Sequence, residues 1–453
     1  MLSFTILGLS LTLAGCGPKT APPAAVSPAK LSIPFEEYDL DNGLHVILSE
    51  DHSVPFVQTN LWYEVGAKDE VEGRSGFAHL FEHLMFQGSE NMDGEYFQPL
   101  QRVGAQINGT TNMDRTNYFE GVPSERLPLA LWLEADRMGF LLPALTQEKL
   151  DNQKLVVRNE RRQSYENRPY GMTWWWLFEN LYPEGHPYHI PTIGKHEDID
   201  AATLEDVKDF FKQWYLPNNA SLSITGDFDP EEAKALVQKY FGDLPSGPQP
   251  EPVLTVEPTV LTEETIIRKT DDVPHDKVWI AWHSPAMYKP GDAELDTLSS
   301  ILSSGKDSRL YKALVQDKQL AQDISAYQVS MFLGSFYVVE ATASSGIDPD
   351  VLVVEIDTLL ENVRENGVTE NEVELAKINW EAAFYRGLRS ISSKGNRLNQ
   401  YYIQTGDTNY IQKDLDRFLS VTPEGVLTAA KGLGKGRIVL HIGPEDETQE
   451  EGK

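Results

Sequence analysis

A proline-rich break near the middle of this chain constrains its fold more than any other feature. The break covers residues 245–260 and begins with the sequence PSGPQPEP at Pro245. Proline removes a backbone hydrogen-bond donor and fixes φ, so helices and central strands do not continue through such a cluster. About 200 residues lie on each side, which is the usual size of one domain. The 453-residue chain is therefore predicted to form two domains, over 35–244 and 261–444, joined by a hinge.

The two halves show the same order of sequence features. Each opens with a Val-Pro pair, at residues 54–55 and 273–274, and continues with an alternating strand pattern. A helical pattern follows in both halves and stops at Gly88 in the first and at Gly305 in the second. Strands mixed with amphipathic helices are typical of α+β layers. We therefore predict two homologous domains of the α+β class, each a mainly antiparallel sheet with helices packed on one face.

The charge of the chain narrows the range of its partners. It carries 69 acidic and 39 basic side chains, which gives a formal net charge of −30 at pH 7. A protein that binds nucleic acid needs basic side chains to neutralise phosphates, so we expect no nucleic acid among the partners. Hydrophobic residues make up 40% of the chain, which indicates a folded core rather than disorder. Residues 445–453 are expected to form a short, frayed acidic tail.

The N-terminal residues resemble a bacterial lipoprotein signal. An apolar run too short to span a bilayer ends in the sequence LAGC, whose last residue is Cys16. In such signals the peptide before the Cys, here residues 1–15, is removed and the Cys is lipidated. Cys16 is the single cysteine of the chain, which excludes an internal disulfide. An ordinary signal peptide with a chance Cys is the alternative.

This signal predicts where the protein acts. Residues 16–34 are rich in Ala and Pro and are expected to form an extended tether between the lipid and the body. We expect attachment to the membrane through the lipid alone, on the periplasmic face of the cell envelope. Gly17 follows the Cys, instead of the Asp that commonly retains lipoproteins at the inner membrane, and this favours the outer membrane.

Residues 76–88 combine a helical pattern with metal-binding side chains. Apolar residues recur at i, i+3, i+4, i+7 and i+8 from Phe77, which predicts an amphipathic helix packed on a core. His79, Glu82 and His83 fall on the opposite side. Two His at i and i+4 lie one turn apart and suit two nitrogens about 2.0 Å from one Zn²⁺. Glu82 could then take a proton from a water on that metal.

The ligand chemistry of this segment favours a catalytic metal. The chain has no cysteine other than Cys16, so the ligands are nitrogen and oxygen atoms. Such a set suits a catalytic zinc with an open position better than a structural zinc. From these residues alone, two surface histidines on a helix remain an alternative.

The helix and its neighbours resemble the pitrilysin family of zinc peptidases, the family of insulin-degrading enzyme and the mitochondrial processing peptidase. The resemblance runs over nearly the entire mature chain. It is carried by residues 76–89, 107–111, 114–118, 132–138, 156–162, 186–188 and 225–228. It implies a mitochondrial processing peptidase-like metallohydrolase fold, and a zinc metalloendopeptidase that hydrolyses peptides or unfolded protein segments.

The resemblance also implies a third metal ligand on a later helix. The family has a Glu there, and Glu160 matches it, 77 residues after His83. From spacing alone, Glu160 is an ordinary helix carboxylate paired with nearby arginines. The implied site holds one zinc through His79, His83 and Glu160, with Glu82 as the general base. The family often has another Glu seven residues earlier, where Gln153 stands here and is expected to orient a ligand by hydrogen bonding.

Substrate recognition is implied in the same way. The family holds its substrate as an extra strand on a sheet edge near the zinc, and Asn108, Gly109 and Thr110 match that edge. Strand addition uses backbone hydrogen bonds, which implies a broad tolerance for substrate sequence. A plain strand end followed by a turn is the alternative.

One departure from the family pattern predicts a partner subunit. Family active sites also use an Arg and a Tyr, seven residues apart, from the second half. The matching positions here are Val315 and Gln322, which cannot bind a substrate carbonyl as Arg and Tyr do. We therefore expect a homologous subunit to supply the pair in a heterodimer, with a homodimer or monomer as the alternative. A non-catalytic assembly or binding subunit with a structural zinc is a further alternative.

Overall fold

The computed structural model describes residues 30–92, 94–253, 255–257 and 259–445. The predicted signal peptide, Cys16, most of the tether and nearly all of the acidic tail lie outside these residues. Within the described ranges, no helix is both long and apolar enough to cross a membrane.

The first half of the chain forms a mixed sheet. Its strands are β1 (Glu36–Asp39), β2 (His45–Glu50), β3 (Phe56–Tyr63), β4 (Gln106–Thr111), β5 (Thr116–Pro123) and β6 (Ala220–Gly226). They lie in the order β1-β2-β6-β3-β5-β4. Neighbouring strands are antiparallel except for β2 and β6, which are parallel.

The helices of the first half, except the fifth in chain order, pack on one face of this sheet or on each other. They are α1 (Phe77–Leu84), α2 (Phe97–Gln101), α3 (Leu127–Ala144), α4 (Gln147–Arg161), α5 (Thr173–Leu181), α6 (His196–Ala201), α7 (Leu204–Trp214) and α8 (Pro230–Phe241). Side chains cap the first turns of α4, α7 and α8, where Thr146, Thr203 and Asp229 accept backbone N–H bonds. Buried side chains of these helices and of the sheet form one continuous core.

The second half forms a sheet of its own. Its strands are β7 (Glu264–Asp271), β8 (Lys277–Ser284), β9 (Ala321–Val329), β10 (Ser335–Ala343) and β11 (Arg437–Pro444), in the order β7-β11-β8-β10-β9. Only β7 and β11 are parallel. The helices are α9 (Asp292–Ser303), α10 (Pro349–Asn366), α11 (Glu370–Gly387), α12 (Ile391–Thr405), α13 (Ile411–Leu419) and α14 (Pro423–Gly432).

The two sheets repeat one topology. Apart from β1, the order β2-β6-β3-β5-β4 matches β7-β11-β8-β10-β9, including the single parallel pair. The predicted α+β fold with two homologous domains is therefore confirmed. The described part of 245–260 forms neither helix nor strand. The domain boundaries themselves stay predictions.

Each sheet buries its second face under a helix from the other half. α12 of the second half lies across β6 and β3, where Asn399 donates to the backbone oxygen of Asn60 at 2.8 Å and accepts from the Ser221 hydroxyl at 2.7 Å. In return, α5 of the first half packs on β11 and β8. Phe178 and Leu181 of α5 join a core shared with the second sheet. Helices therefore cover both faces of each sheet, whereas the sequence predicted one.

Candidate metal centre

The predicted metal-binding helix is α1, and its start is fixed by a glycine and a carboxylate. Gly76 precedes the helix with φ at +84°, a conformation that favours glycine. The Glu70 carboxylate accepts hydrogen bonds from the backbone N–H groups of Gly76 and Ala78, at 2.9 and 2.8 Å. These N–H groups have no partner within the helix, so Glu70 stabilises its N-terminus. The apolar side of α1 is buried in the first-half core.

Three predicted ligands meet where α1 faces α4. The Nε2 atoms of His79 and His83 lie 3.3 Å apart. Glu160 Oε2 lies 3.2 Å from Nε2 of His83 and 3.7 Å from Nε2 of His79. Two atoms that share a tetrahedral zinc at ~2.1 Å are about 3.4 Å apart. The donor set therefore fits one zinc ion, and among the described residues it is the only His, Cys, Asp and Glu cluster with such spacing.

The surroundings favour the ligand forms of these side chains. Burial, reinforced by the neighbouring His83, lowers the pKa of His79 to about 4. His79 is therefore neutral at pH 7, as metal binding requires. The hydrogen bond from His83 lowers the pKa of the Glu160 carboxyl. Glu160 is thus an anion under the same conditions.

Glu82 lies beside the three donors and contacts strand β4. Thr111 Oγ1 donates a hydrogen bond to Glu82 Oε2 at 2.6 Å. Burial raises the pKa of Glu82, and the Thr111 bond opposes part of that rise. A carboxylate whose pKa is raised toward neutrality is a better general base than an exposed one. Burial and the Thr111 hydrogen bond thus define the environment of Glu82, and its role as the general base stays a prediction.

The predicted substrate-binding segment is an edge strand next to this helix. Among the strands that the structure describes, β4 pairs with β5 alone. A Cβ on Gly109 would lie 3.0 Å from Cγ of Glu82 and 3.2 Å from the Phe86 ring. Glycine at this position therefore allows α1 to approach β4 closely. Asn108 is exposed on the same strand.

The hydrogen-bond pattern of the β4–β5 hairpin shows which backbone N–H and C=O groups of β4 face its open edge. Asn112 N–H donates to the Arg115 carbonyl at the turn between β4 and β5. Hydrogen-bonded and non-hydrogen-bonded pairs alternate along an antiparallel ladder. Thr110, opposite Asn117, therefore directs its backbone groups toward β5. Gly109 and Thr111 direct theirs toward the open edge.

Two residues near the site had no role assigned from the sequence. Thr111 follows the predicted substrate segment directly, and strand alternation places it on the same face as Gly109. Arg115 is partly buried, lies 5.1 Å from the centre of the Trp62 ring and donates to the Thr110 carbonyl at 2.7 Å. Burial lowers the pKa of Arg115 to about 10, so it remains a cation at pH 7. Arg115 holds β4 from the hairpin side.

Three further positions named from the sequence, Gln153, Val315 and Gln322, make no hydrogen bond to the three metal-binding side chains among the described residues. Gln153 is buried on α4, seven residues before Glu160. Nδ1 of His79 is buried without a hydrogen-bond partner among the described residues, so the orienting role of Gln153 stays a prediction. Val315 packs against the second-half core, and the Gln322 amide donates to the Ala343 carbonyl at 2.9 Å. Both side chains are thus engaged within the second half.

Known protein families account for both halves of this architecture. Residues 45–173 match the family described as Insulinase (Peptidase family M16), and residues 201–379 match the Peptidase M16 inactive domain. A zinc protease of Helicobacter pylori, PqqE, is 31% identical over 389 residues, which cover 84% of this chain and 87% of that protein. The chain therefore belongs to peptidase family M16, the pitrilysin-like family that the motif predicted.

Solved structures agree with this assignment. The crystal structure of a protease from Helicobacter pylori superposes with a TM-score of 0.84 at 29% identity, over 91% of this chain and 100% of that one. The M16 inactive domain from Pseudomonas fluorescens gives a TM-score of 0.80 at 19% identity, over 91% and 98%. At that identity the likeness is one of fold alone.

Proposed function

We propose that the protein is a zinc-dependent metalloendopeptidase that hydrolyses peptides or unfolded protein segments. One observation carries the proposal. His79, His83 and Glu160 bring two nitrogens and an oxygen to ligand spacing, and the largely buried Glu82 carboxylate lies beside them. The name of the Helicobacter pylori relative, zinc protease PqqE, supports the same chemistry.

In the proposed mechanism each part of the site has its own task. Zinc held by these donors supplies Lewis-acid chemistry, which favours ionisation of water and polarises a carbonyl. The open edge of β4 pairs with an extended peptide and aligns its backbone beside α1. Glu82 Oε1 accepts a proton from the attacking water, since Thr111 already occupies Oε2. Arg115 keeps β4 in place through the Thr110 carbonyl.

Replacing Glu82 by Gln separates metal binding from chemistry. Gln keeps the shape of the side chain but cannot accept the proton. Zinc should therefore stay bound, while kcat on an unstructured peptide falls by about 10²-fold or more. Zinc content by atomic emission and peptide hydrolysis measure the two effects. His79→Ala is the matched control and should lose both, because a three-ligand site has no spare donor. Near-normal turnover by Glu82→Gln would contradict the proposal.

A non-catalytic assembly or binding subunit is the second candidate function. The observation that favours it is the engagement of Val315 and Gln322 within the second half, where the family pattern has its Arg and Tyr. A protein that binds zinc stoichiometrically but never hydrolyses peptide, alone or with a homologous chain, would establish this alternative.

We further propose a lipid anchor and a homologous partner subunit. The sequence around Cys16 supports the anchor, on the periplasmic face of the envelope with the outer membrane favoured, although Cys16 lies outside the described residues. The non-matching Val315 and Gln322 support a heterodimer.

A further inference from the structure

Thr111 contacts two parts of the site at once. It is the last residue of β4 and pairs with Thr116 across the ladder. Its backbone N–H and carbonyl face the open edge, because Thr111 and Thr116 form a non-hydrogen-bonded pair. Its hydroxyl points to α1 and donates to Glu82 Oε2 at 2.6 Å. One residue therefore links the edge of the sheet to the proposed base.

The strand that carries Thr111 is fixed from both sides. Gly109 lies against the Glu82 and Phe86 side chains on the α1 side. Arg115 donates to the carbonyl and the hydroxyl of Thr110, at 2.7 and 2.5 Å. The Thr111 hydroxyl is thus presented from a rigid position. A rigid donor can fix a carboxylate in one orientation.

We propose that Thr111 is a positioning residue, which orients the Glu82 carboxylate and keeps it in register with a peptide bound along β4. This inference rests on the proposed function. Among the described residues, Thr111 provides the only hydrogen bond to the Glu82 side chain. It holds Oε2 and leaves Oε1 free to accept a proton. Substrate alignment, in contrast, depends on backbone groups that any residue at position 111 would supply.

This division of roles predicts a split between kcat and KM. Thr111→Val keeps the β-branched shape and the backbone edge but removes the hydroxyl. Glu82 then loses its fixed orientation, and kcat should fall about 10- to 100-fold, the scale of a small misplacement of a catalytic group. KM should stay within about twofold, because the edge groups are unchanged. Thr111→Ser retains the donor and should restore most of kcat.

Two measurements that do not depend on turnover accompany the kinetics. Zinc affinity and the affinity of the metal-free protein for a peptide should both match the wild type in Thr111→Val. Thr116→Val is the matched control, because it removes a buried hydroxyl from the opposite strand position that donates to the Val65 carbonyl at 2.9 Å. That control should lower stability without a selective loss of kcat.

The outcomes separate this inference from the proposed function. A zinc-loaded wild-type protein without hydrolysis, alone and with a homologous chain, would remove the function itself. An active wild type with kcat of Thr111→Val within about threefold, or with a raised KM alone, would overturn only the role of Thr111. A Ser variant as slow as the Val variant would do the same. Thr111→Ala is the second hydroxyl deletion and replaces Thr111→Val if that variant does not fold.

Discussion

Cys16 is the single residue on which the proposed membrane attachment depends. It stands at the end of the apolar N-terminal run and is the only cysteine of the chain. Cys16→Ser removes the thiol that lipidation requires, so the body should move from the membrane to the soluble fraction. Membrane fractionation after a salt wash measures this, with the unmodified chain as control. Full retention of the Cys16→Ser protein in the membrane fraction would contradict the lipoprotein interpretation.

Residues within one helix were easier to predict from the sequence than residues that meet across the fold. His79 and His83 could be paired because positions i and i+4 lie on one side of a helix. Glu160 could not, since 77 residues separate it from His83 and only the family resemblance selected it. Thr111 was missed for a similar reason. Strand alternation groups it with Gly109, but the sequence does not show which face of β4 meets α1.

Val46 on β2 and Ile266 on β7 occupy equivalent strands of the two sheets but differ in burial. This difference allows the two copies of the repeated sheet to be compared by mutation. In the first sheet, Val46 pairs with Leu222 in a row of fully buried side chains. In the second sheet, Val439 takes the place of Leu222 and is also buried, but its neighbour Ile266 is 53% exposed. Among the described residues, no strand pairs with the outer edge of β7, and the Ile266 side chain on this strand is more than half exposed.

The same truncation should cost very different amounts at these two positions. Val46→Ala opens a cavity in the core and should lower the free energy of unfolding by about 2 kcal/mol. Ile266→Ala removes more atoms but from a half-exposed site, and should cost about 0.5 kcal/mol or less. Urea unfolding monitored by tryptophan fluorescence compares the two variants. Equal losses would show that Ile266 is covered in solution.

The sequence did not predict that α12 packs on the first sheet and α5 on the second. The repeated order of strands and helices was predictable, because the feature order recurs in the two halves. Ser221 and Ser223 lie on a strand where such polar side chains usually indicate a solvent-facing surface. In the structure both are buried, and Asn399 and the Gly395 carbonyl of α12 satisfy their hydroxyls. These polar side chains on a buried strand are explained by contacts with residues more than 170 positions away in the sequence.

At the level of the whole molecule, the exchanged helices hold the halves together. The described residues from Ser32 onward form one compact unit, although the sequence suggests two domains joined by a hinge. Lys394 of α12 forms an ion pair with Asp51 of the first half, and the Lys394 hydrogen bond lowers the pKa of Asp51 to about 2. The halves are therefore expected to move as one body. We therefore expect any missing part of the active site to come from another chain.

The missing part defines the last prediction. Developing negative charge in peptide hydrolysis needs fixed donors around it, and one such donor contributes about 10²- to 10³-fold in rate. By the family pattern, Val315 and Gln322 stand at the positions of the Arg and the Tyr. Val315 has no donor, and the Gln322 amide already donates to the Ala343 carbonyl at 2.9 Å. We expect the isolated chain to hydrolyse peptide slowly, and a homologous chain that carries Arg and Tyr to raise kcat about 10²-fold or more at equal zinc content.

The partner's contribution can be isolated by changing the partner alone. Replacing its Arg by Ala, or its Tyr by Phe, should remove most of the gain while leaving the complex intact, because these side chains act on the substrate rather than on zinc binding. Size-exclusion chromatography verifies that the complex persists, and peptide hydrolysis measures the loss. Full activity from this chain by itself, at the same zinc content, would show that other donors complete the site. The prediction of an obligatory partner would then be wrong. A gain in activity that the Arg and Tyr replacements abolish would instead show that the homologous chain supplies the second half of the active site.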